Sequence, residues 1–133
     1  MLVDSNVLLD IVTADPEWLP WSQAALADAL LAGAVAINQL VYAEVSIAYQ
    51  QAAELDAVLT RLRIQRIDLP WEAAHLAGQA FLKYRRQGGT RTSPLPDFYI
   101  GAHAQTAGLP LLTRDAKRYR TYFPKVALLT PQP

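Results

Sequence analysis

An α/β fold is what this sequence predicts, with a mostly parallel sheet covered by helices on both faces. Five short apolar segments, at Met1 to Asp4, Val35 to Ile37, Ile64 to Leu69, Leu111 to Thr113 and Val126 to Leu129, read as buried strands. The stretches between them carry helical apolar spacing, and parallel pairing needs such crossovers. With 133 residues and 52% hydrophobic content, the chain fits one domain over residues 1–133, large enough to bury a core.

The first strand runs directly into a helix at Asp4, because Ser5 to Val12 places Leu8, Ile11 and Val12 at helical spacing. A second helix is expected over Trp18 to Ala32, with Pro20 in its first turn and Gly33 to stop it. After the Val35 strand, Asn38 is an N-cap for a helix carried through Leu40, Val41, Glu44, Val45 and Ala48 to about Gln50. Another spans about Ala53 to Leu62. Pro70 closes the third strand, and Trp71 to Arg86 forms a long helix ended by Gly88-Gly89. The stretch Gly88 to Leu95, with two glycines, hydroxyl residues, Arg91 and Pro94, reads as the most mobile loop. Pro96 opens a helix to about Ala107, terminated by Gly108. The Leu111 strand leads to a short helix over Asp115 to Tyr122, then the last strand and a proline-flanked tail.

Composition excludes several chemistries. No apolar run reaches the ~20 residues of a membrane helix, and the start lacks the basic leader of a signal peptide. There is no cysteine, so disulfides and thiolate metal sites are out, which suits a cytoplasmic location. His75 and His103 have no zinc-type spacing, so a bound metal would have oxygen ligands, as magnesium or manganese prefers. Net charge is zero. If four acids share one pocket, 8 others face 12 basic residues, and a polyanion can be held by basic rims around an acidic centre.

Those four acids are Asp4, Glu44, Asp97 and Asp115. Asp4 and Asp115 follow apolar strands and head helices, so each also reads as a plain cap. Asp97 follows Pro96 in a first helical turn, where the macrodipole alone favours an acid. Glu44 has Leu40, Val41, Ile47 and Ala48 as its helical neighbours, so it either needs a cation or reaches water at the edge of an apolar face. Together, three acids at strand exits or helix starts and a fourth on a helix face can meet at one end of a parallel sheet. Clustered carboxylates repel unless a cation neutralises them, and a hard divalent ion does so.

The segments Leu2-Val-Asp-Ser-Asn-Val-Leu-Leu9, Val41-Tyr-Ala-Glu-Val45, Pro96-Asp-Phe-Tyr-Ile-Gly-Ala-His-Ala104 and Leu111-Leu-Thr-Arg-Asp115 resemble the four signature regions of PIN-domain nucleases, in the same order. The likeness spans essentially the whole chain and is nearest to the VapC-type toxins of toxin-antitoxin pairs. It implies a PIN-like three-layer α/β/α domain with a five-stranded, mostly parallel sheet and the first strand near its middle. It also implies that Asp4, Glu44, Asp97 and Asp115 are catalytic and hold Mg²⁺ or Mn²⁺, with Asn6 and Thr113 as polar support. Ser5 departs from the pattern, where threonine is frequent. The activity implied is endoribonuclease cleavage of RNA; the partners implied are a cognate antitoxin and a second copy in a homodimer.

Two basic groups are expected to contact the RNA backbone: Lys83, Arg85, Arg86 and Arg91 before Asp97, and Arg114, Lys117, Arg118 and Arg120 around Asp115. For Lys83 to Arg86 a solvated helix end is the competing reading. Trp18, Leu19 and Trp21 are candidates for a partner surface, although aromatics more often pack in cores. Two other functions compete. A haloacid-dehalogenase-like phosphatase would need an aspartate where Asn6 stands, and a degenerate PIN module would bind RNA or protein without cutting.

Overall fold

The strand Leu2–Val3 (β1) has parallel neighbours on both sides: Leu2 pairs with Ala36 of Val35–Ile37 (β2) and with Leu111 of Leu111–Leu112 (β4). In this computed structural model, which describes residues 1–92 and 94–131, Ile64–Arg66 (β3) joins β2 and Leu128–Leu129 (β5) joins β4, both parallel. The sheet is therefore all-parallel, in the order β3-β2-β1-β4-β5. Ser93 of the expected loop, and residues 132 and 133 of the tail, lie outside the described residues.

Right-handed crossovers explain how both faces are covered. The chain steps outward from β1 to β2 to β3, then returns past β1 to β4 and moves the other way. Helices on the two legs fall on opposite faces, and the order reverses between β1 and β4. In such sheets polar sites form at that reversal, beyond the carboxyl ends of the strands. Burial agrees: Leu2, Val3, Val35, Ile37, Leu111 and Leu112 are all sealed from solvent, as strands covered on two sides must be.

The helices are Ser5–Val12 (α1), Leu19–Ala32 (α2), Gln39–Ser46 (α3), Ala52–Arg61 (α4), Trp71–Arg86 (α5), Pro96–Ala107 (α6) and Lys117–Tyr122 (α7). Bounds of α5 and α6 match the sequence expectation because proline and glycine punctuate them; Gly108 ends α6 in the left-handed region at φ 65°. Other bounds are corrected. Helix α3 stops at Ser46 rather than Gln50, because the apolar face runs out: Ile47 is 86% exposed. Helix α7 begins at Lys117, two residues late, since the Asp115 N–H is turned back onto Thr113 Oγ1 at 3.1 Å. Strand β3 ends at Arg66, as Leu69 N–H goes to the Gln39 side chain instead of a strand.

Helix α6 approaches the end of α7 closely. At Gly101 a Cβ would lie 2.3 Å from the Phe123 ring, so only glycine lets α6 and the end of α7 meet. On its other side α6 packs against α5 through Phe81, Tyr84 and Phe98, whose rings are 5.6–5.9 Å apart. This packing sets where Asp97, in the first turn of α6, stands.

Candidate active site

Asp4 leaves β1 at the point where the strand order reverses, and it caps α1 in extended backbone, accepting the Ser5 N–H at 2.8 Å. The capping alternative is thus realised, but it uses only Oδ1 strongly. Its Oδ2 accepts from Thr113 Oγ1 at 2.9 Å and Tyr119 Oη at 2.8 Å, with Asn6 Nδ2 farther off at 3.4 Å. Asp4 is 3% exposed. Burial raises its pKa, and the Tyr119, Thr113 and Ser5 hydrogen bonds oppose that rise.

Ser5 connects two of the acids: its hydroxyl donates to Glu44 Oε1 at 2.9 Å. Glu44 is half-buried, at the edge of the α3 face whose buried residues are Val41 and Val45. Of its helical neighbours Val41 is buried while Ile47 and Ala48 are exposed, so Glu44 stands at the edge of the apolar face, one of the two readings the sequence left open. Burial still raises the Glu44 pKa, and the nearby Asp4 charge adds to the rise against the Ser5 hydrogen bond.

The Asp97 carboxyl is pushed up to about 6, by burial first, then by the charge of Asp4. Arg118 opposes the shift, while Glu44 and Asp115 add to it. Asp97 therefore feels all three of the other acids, each from a different element. The Arg118 guanidinium stands 3.6 Å from Asp97 Oδ2. Asp115 is exposed and does not cap α7, whose N-cap is Ala116. Thr113 Oγ1 and Asn6 tie the segment down, Asn6 Oδ1 accepting the Arg114 N–H at 3.3 Å.

The four acids thus share one region at the carboxyl edge of the sheet. They do not close on a point: among the described residues no three carboxylate or imidazole side chains stand close enough to hold a metal ion between them. Each has its own partners: Ser5, Asn6, Thr113 and Tyr119 donate to Asp4, Ser5 donates to Glu44, and Arg118 stands beside Asp97.

The basic residues divide. Arg114 is committed to a buried carboxylate: Nε and Nη2 donate to Asp10 at 2.8 and 3.1 Å, and Ser22 Oγ donates to the same Asp10 at 2.7 Å. Its guanidinium also lies over the Trp18 ring, 5.3 Å from the centroid. Lys117 and Arg118 instead line a cavity with Asp97 and Asp115. Arg85 donates to the Arg91 carbonyl, and Arg86 and Arg91 are exposed. Trp18 and Trp21 are half-buried and meet edge-to-face at 6.3 Å. His103 is buried, its Nδ1 paired with Asn38 Nδ2 at 3.1 Å, away from the acids.

Tyr119, Ser5, Arg118 and Asp10 were missed or underused from sequence. A signal existed for two of them. Ala116, Tyr119 and Phe123 repeat at helical spacing and all are buried, and an inward tyrosine must find a partner for its hydroxyl. Asp10 shares the buried side of α1 with Val7, the argument applied to Glu44 with more force.

The sequence matches the PIN domain family over residues 1–124. Solved structures with the same fold include VapBC2 from Rickettsia felis bound to a promoter DNA fragment, at 19% identity, TM-score 0.71, covering 98% of each chain. A toxin-antitoxin complex from Klebsiella pneumoniae matches at 24% identity and TM-score 0.67, covering 98% of this chain and 97% of that one. FitAcB from Neisseria gonorrhoeae matches at 20% identity and TM-score 0.66, with 96% and 95% covered. No curated protein sequence matches this chain.

Proposed function

Because the chain belongs to the PIN domain family, a nuclease family, we propose that it is a divalent-metal-dependent endoribonuclease, acting as the toxin of a toxin-antitoxin pair. The observation that carries this reading is that Asp97 and Asp115 line one cavity while Ser5 joins Asp4 to Glu44, with the other three acids near enough to add to the burial that raises the Asp97 carboxyl to about 6. Carboxylates in such mutual repulsion are poised for a cation. The donors are all oxygen, the set that Mg²⁺ and Mn²⁺ take. Mg²⁺ keeps several of its waters and needs few protein ligands, so it does not require three carboxylates converging on one point.

In this reading Asp97, Asp115 and Asp4 would hold the ion, and Glu44 would orient the attacking water. Bound there, a divalent cation would lower the pKa of that water and neutralise charge on the phosphate. Ser5 holds Glu44 in place. Thr113, Tyr119 and Asn6 fix the Asp4 rotamer, so the carboxylate needs little reorganisation on binding. Asn6 supplies an amide where a phosphatase of the haloacid-dehalogenase type would need its second aspartate. The loose acid spacing favours one other reading, a PIN module that binds RNA without cutting.

Residues 1–133 act as one domain in this proposal, with a second copy and an antitoxin as protein partners and the cytoplasm as location. Among the described residues no helix is long and apolar enough to cross a membrane. The test is cleavage of total RNA with and without Mg²⁺ by wild type, Asp4→Asn and Asp97→Asn, with Mg²⁺ titrated calorimetrically. Cleavage that needs the ion and is lost in both folded variants is the expected result. Metal-independent cleavage, or cleavage kept by Asp97→Asn, would end the proposal; RNA binding without metal binding or cleavage would select the non-cutting module.

A further inference from the structure

A cavity of about 370 Å³ opens beside the acids, and its walls are of three kinds. Asp97 and Asp115 form one, Lys117 and Arg118 the second, Tyr84 and Tyr122 the third. Each wall alone has an ordinary explanation, but the three together match one chemistry. A site for a metal alone needs no aromatic rings, and a backbone-binding surface needs cations without acids. A nucleotide uses all three: its phosphate takes cations, its base takes a π-face, and carboxylates beside it would hold a divalent ion that offsets phosphate charge.

The walls are preorganised. Arg118 lies over the rings of Phe98 and Tyr84, with its guanidinium carbon 5.4 and 5.8 Å from their centroids. At 3.6 Å from Asp97 it makes one loose ion pair and not the bidentate clamp that Arg114 makes, and among the described residues it makes no hydrogen bond. Tyr122 packs on Phe98 with centroids 5.4 Å apart, and its hydroxyl donates to Gln87 Oε1 at 3.1 Å. Tyr84 stands 6.4 Å from Tyr122, and Gly89 lies so close that a Cβ there would come within 2.3 Å of the Tyr84 ring. Tyr84, stacked on Phe81 at 5.7 Å and overlaid by Arg118, is fixed in place, and Tyr122 packs against Phe98 and Tyr84 while lining the cavity.

We propose that this cavity is a nucleotide subsite for the residue of the RNA strand adjoining the scissile phosphate. Arg118, with Lys117, takes that nucleotide's phosphate, and Tyr122, backed by Tyr84, takes its base by stacking. The proposal rests on the nuclease reading and deepens it. Stacking accepts any base, so the subsite gives affinity and register more than sequence choice.

The test is fluorescence anisotropy of a labelled ten-nucleotide single-stranded RNA with the whole chain, in Ca²⁺ to restrain cleavage, over a series of salt concentrations. Variants are Arg118→Gln, Tyr122→Leu, Tyr122→Phe and, as a charge control at the opposite edge of the sheet, Arg61→Gln. Arg118→Gln should weaken binding about tenfold and lower the salt slope by about one. Tyr122→Leu should weaken it several-fold at an unchanged slope, with Tyr122→Phe near wild type and Arg61→Gln without effect. If wild type binds and Arg118→Gln and Tyr122→Leu bind equally well, the subsite is wrong while the nuclease stands. Loss at Arg118 alone would replace the nucleotide subsite with a backbone contact. Should wild type neither bind nor cut RNA, the nuclease reading itself falls.

Discussion

The Tyr119 hydroxyl donates to Asp4 Oδ2 at 2.8 Å, although the two residues stand 115 positions apart. Both groups are buried, and the Asp4 charge helps hold the tyrosine's pKa well above its ordinary value, so the phenol stays a donor. Tyr119→Phe keeps the ring and removes that donor. A lost hydrogen bond to a buried charged group costs about 1.5–3 kcal/mol. Urea unfolding at pH 7 should show a loss of that order, and Mg²⁺ affinity should fall because the Asp4 carboxylate is freer to turn. Unchanged stability would mean that the contact contributes nothing.

Arg114 and Asp10 couple the segment carrying Asp115 to the first helices. Arg114→Met leaves a carboxylate that is 2% exposed without its cation, a change worth about 3–5 kcal/mol for buried pairs. Asp10→Asn removes the charge but keeps an acceptor for Ser22, so it should cost less. Chemical denaturation of the two variants checks the order, and an equal or reversed ranking would contradict it.

The Asp97 pKa gives a pH dependence with a definite sign. Its folded value, about 6, lies above the ordinary 3.8, so the folded state holds the proton more tightly than the unfolded chain. Asp97 therefore contributes stability that is fully present below about pH 3.8 and is lost as pH rises through about 6. Without divalent ions, Asp97→Asn should gain on wild type in melting temperature between pH 5 and pH 7.5, as order-of-magnitude bounds on that window. Added Mg²⁺ should shrink the gain, because a cation relieves the repulsion. A difference independent of pH would refute the coupling among the acids.

Gly101→Ala tests how packing reaches the site. The new methyl would meet the Phe123 ring at 2.3 Å, and overpacking of this kind costs about 1–3 kcal/mol. The relief open to the protein is a shift of α6, which carries Asp97. Stability and Mg²⁺ affinity should drop together, and a loss of stability alone would show that Asp97 is positioned independently of this contact.

Local signals were sufficient for much of this molecule. Proline and glycine bracket α5 and α6, so those helices were readable to the residue. Alternation of apolar strands with helical crossovers implied a parallel sheet, and a parallel sheet implied that acids at strand exits gather on one edge. Asp4 and Asp115 follow from that reasoning, whereas Asp97 stands in the first turn of α6 and leaves no strand. Glu44 was recognised as an acid in need of a partner, but its partner Ser5 lies 39 residues away and no periodicity reports such a distance.

The sequence by itself determined the order of elements, the sheet type and which acids stand at strand exits and helix starts, because each depends on neighbours within a few residues. Tertiary structure alone decided who holds whom: Tyr119 on Asp4, Asp10 on Arg114, and Arg118 between Asp97 and two aromatic rings. The reason is physical. Apolar spacing records which face of an element is buried, whereas a hydrogen bond or ion pair depends on the relative placement of two elements to within a few tenths of an ångström, and that placement is set by packing across the whole core.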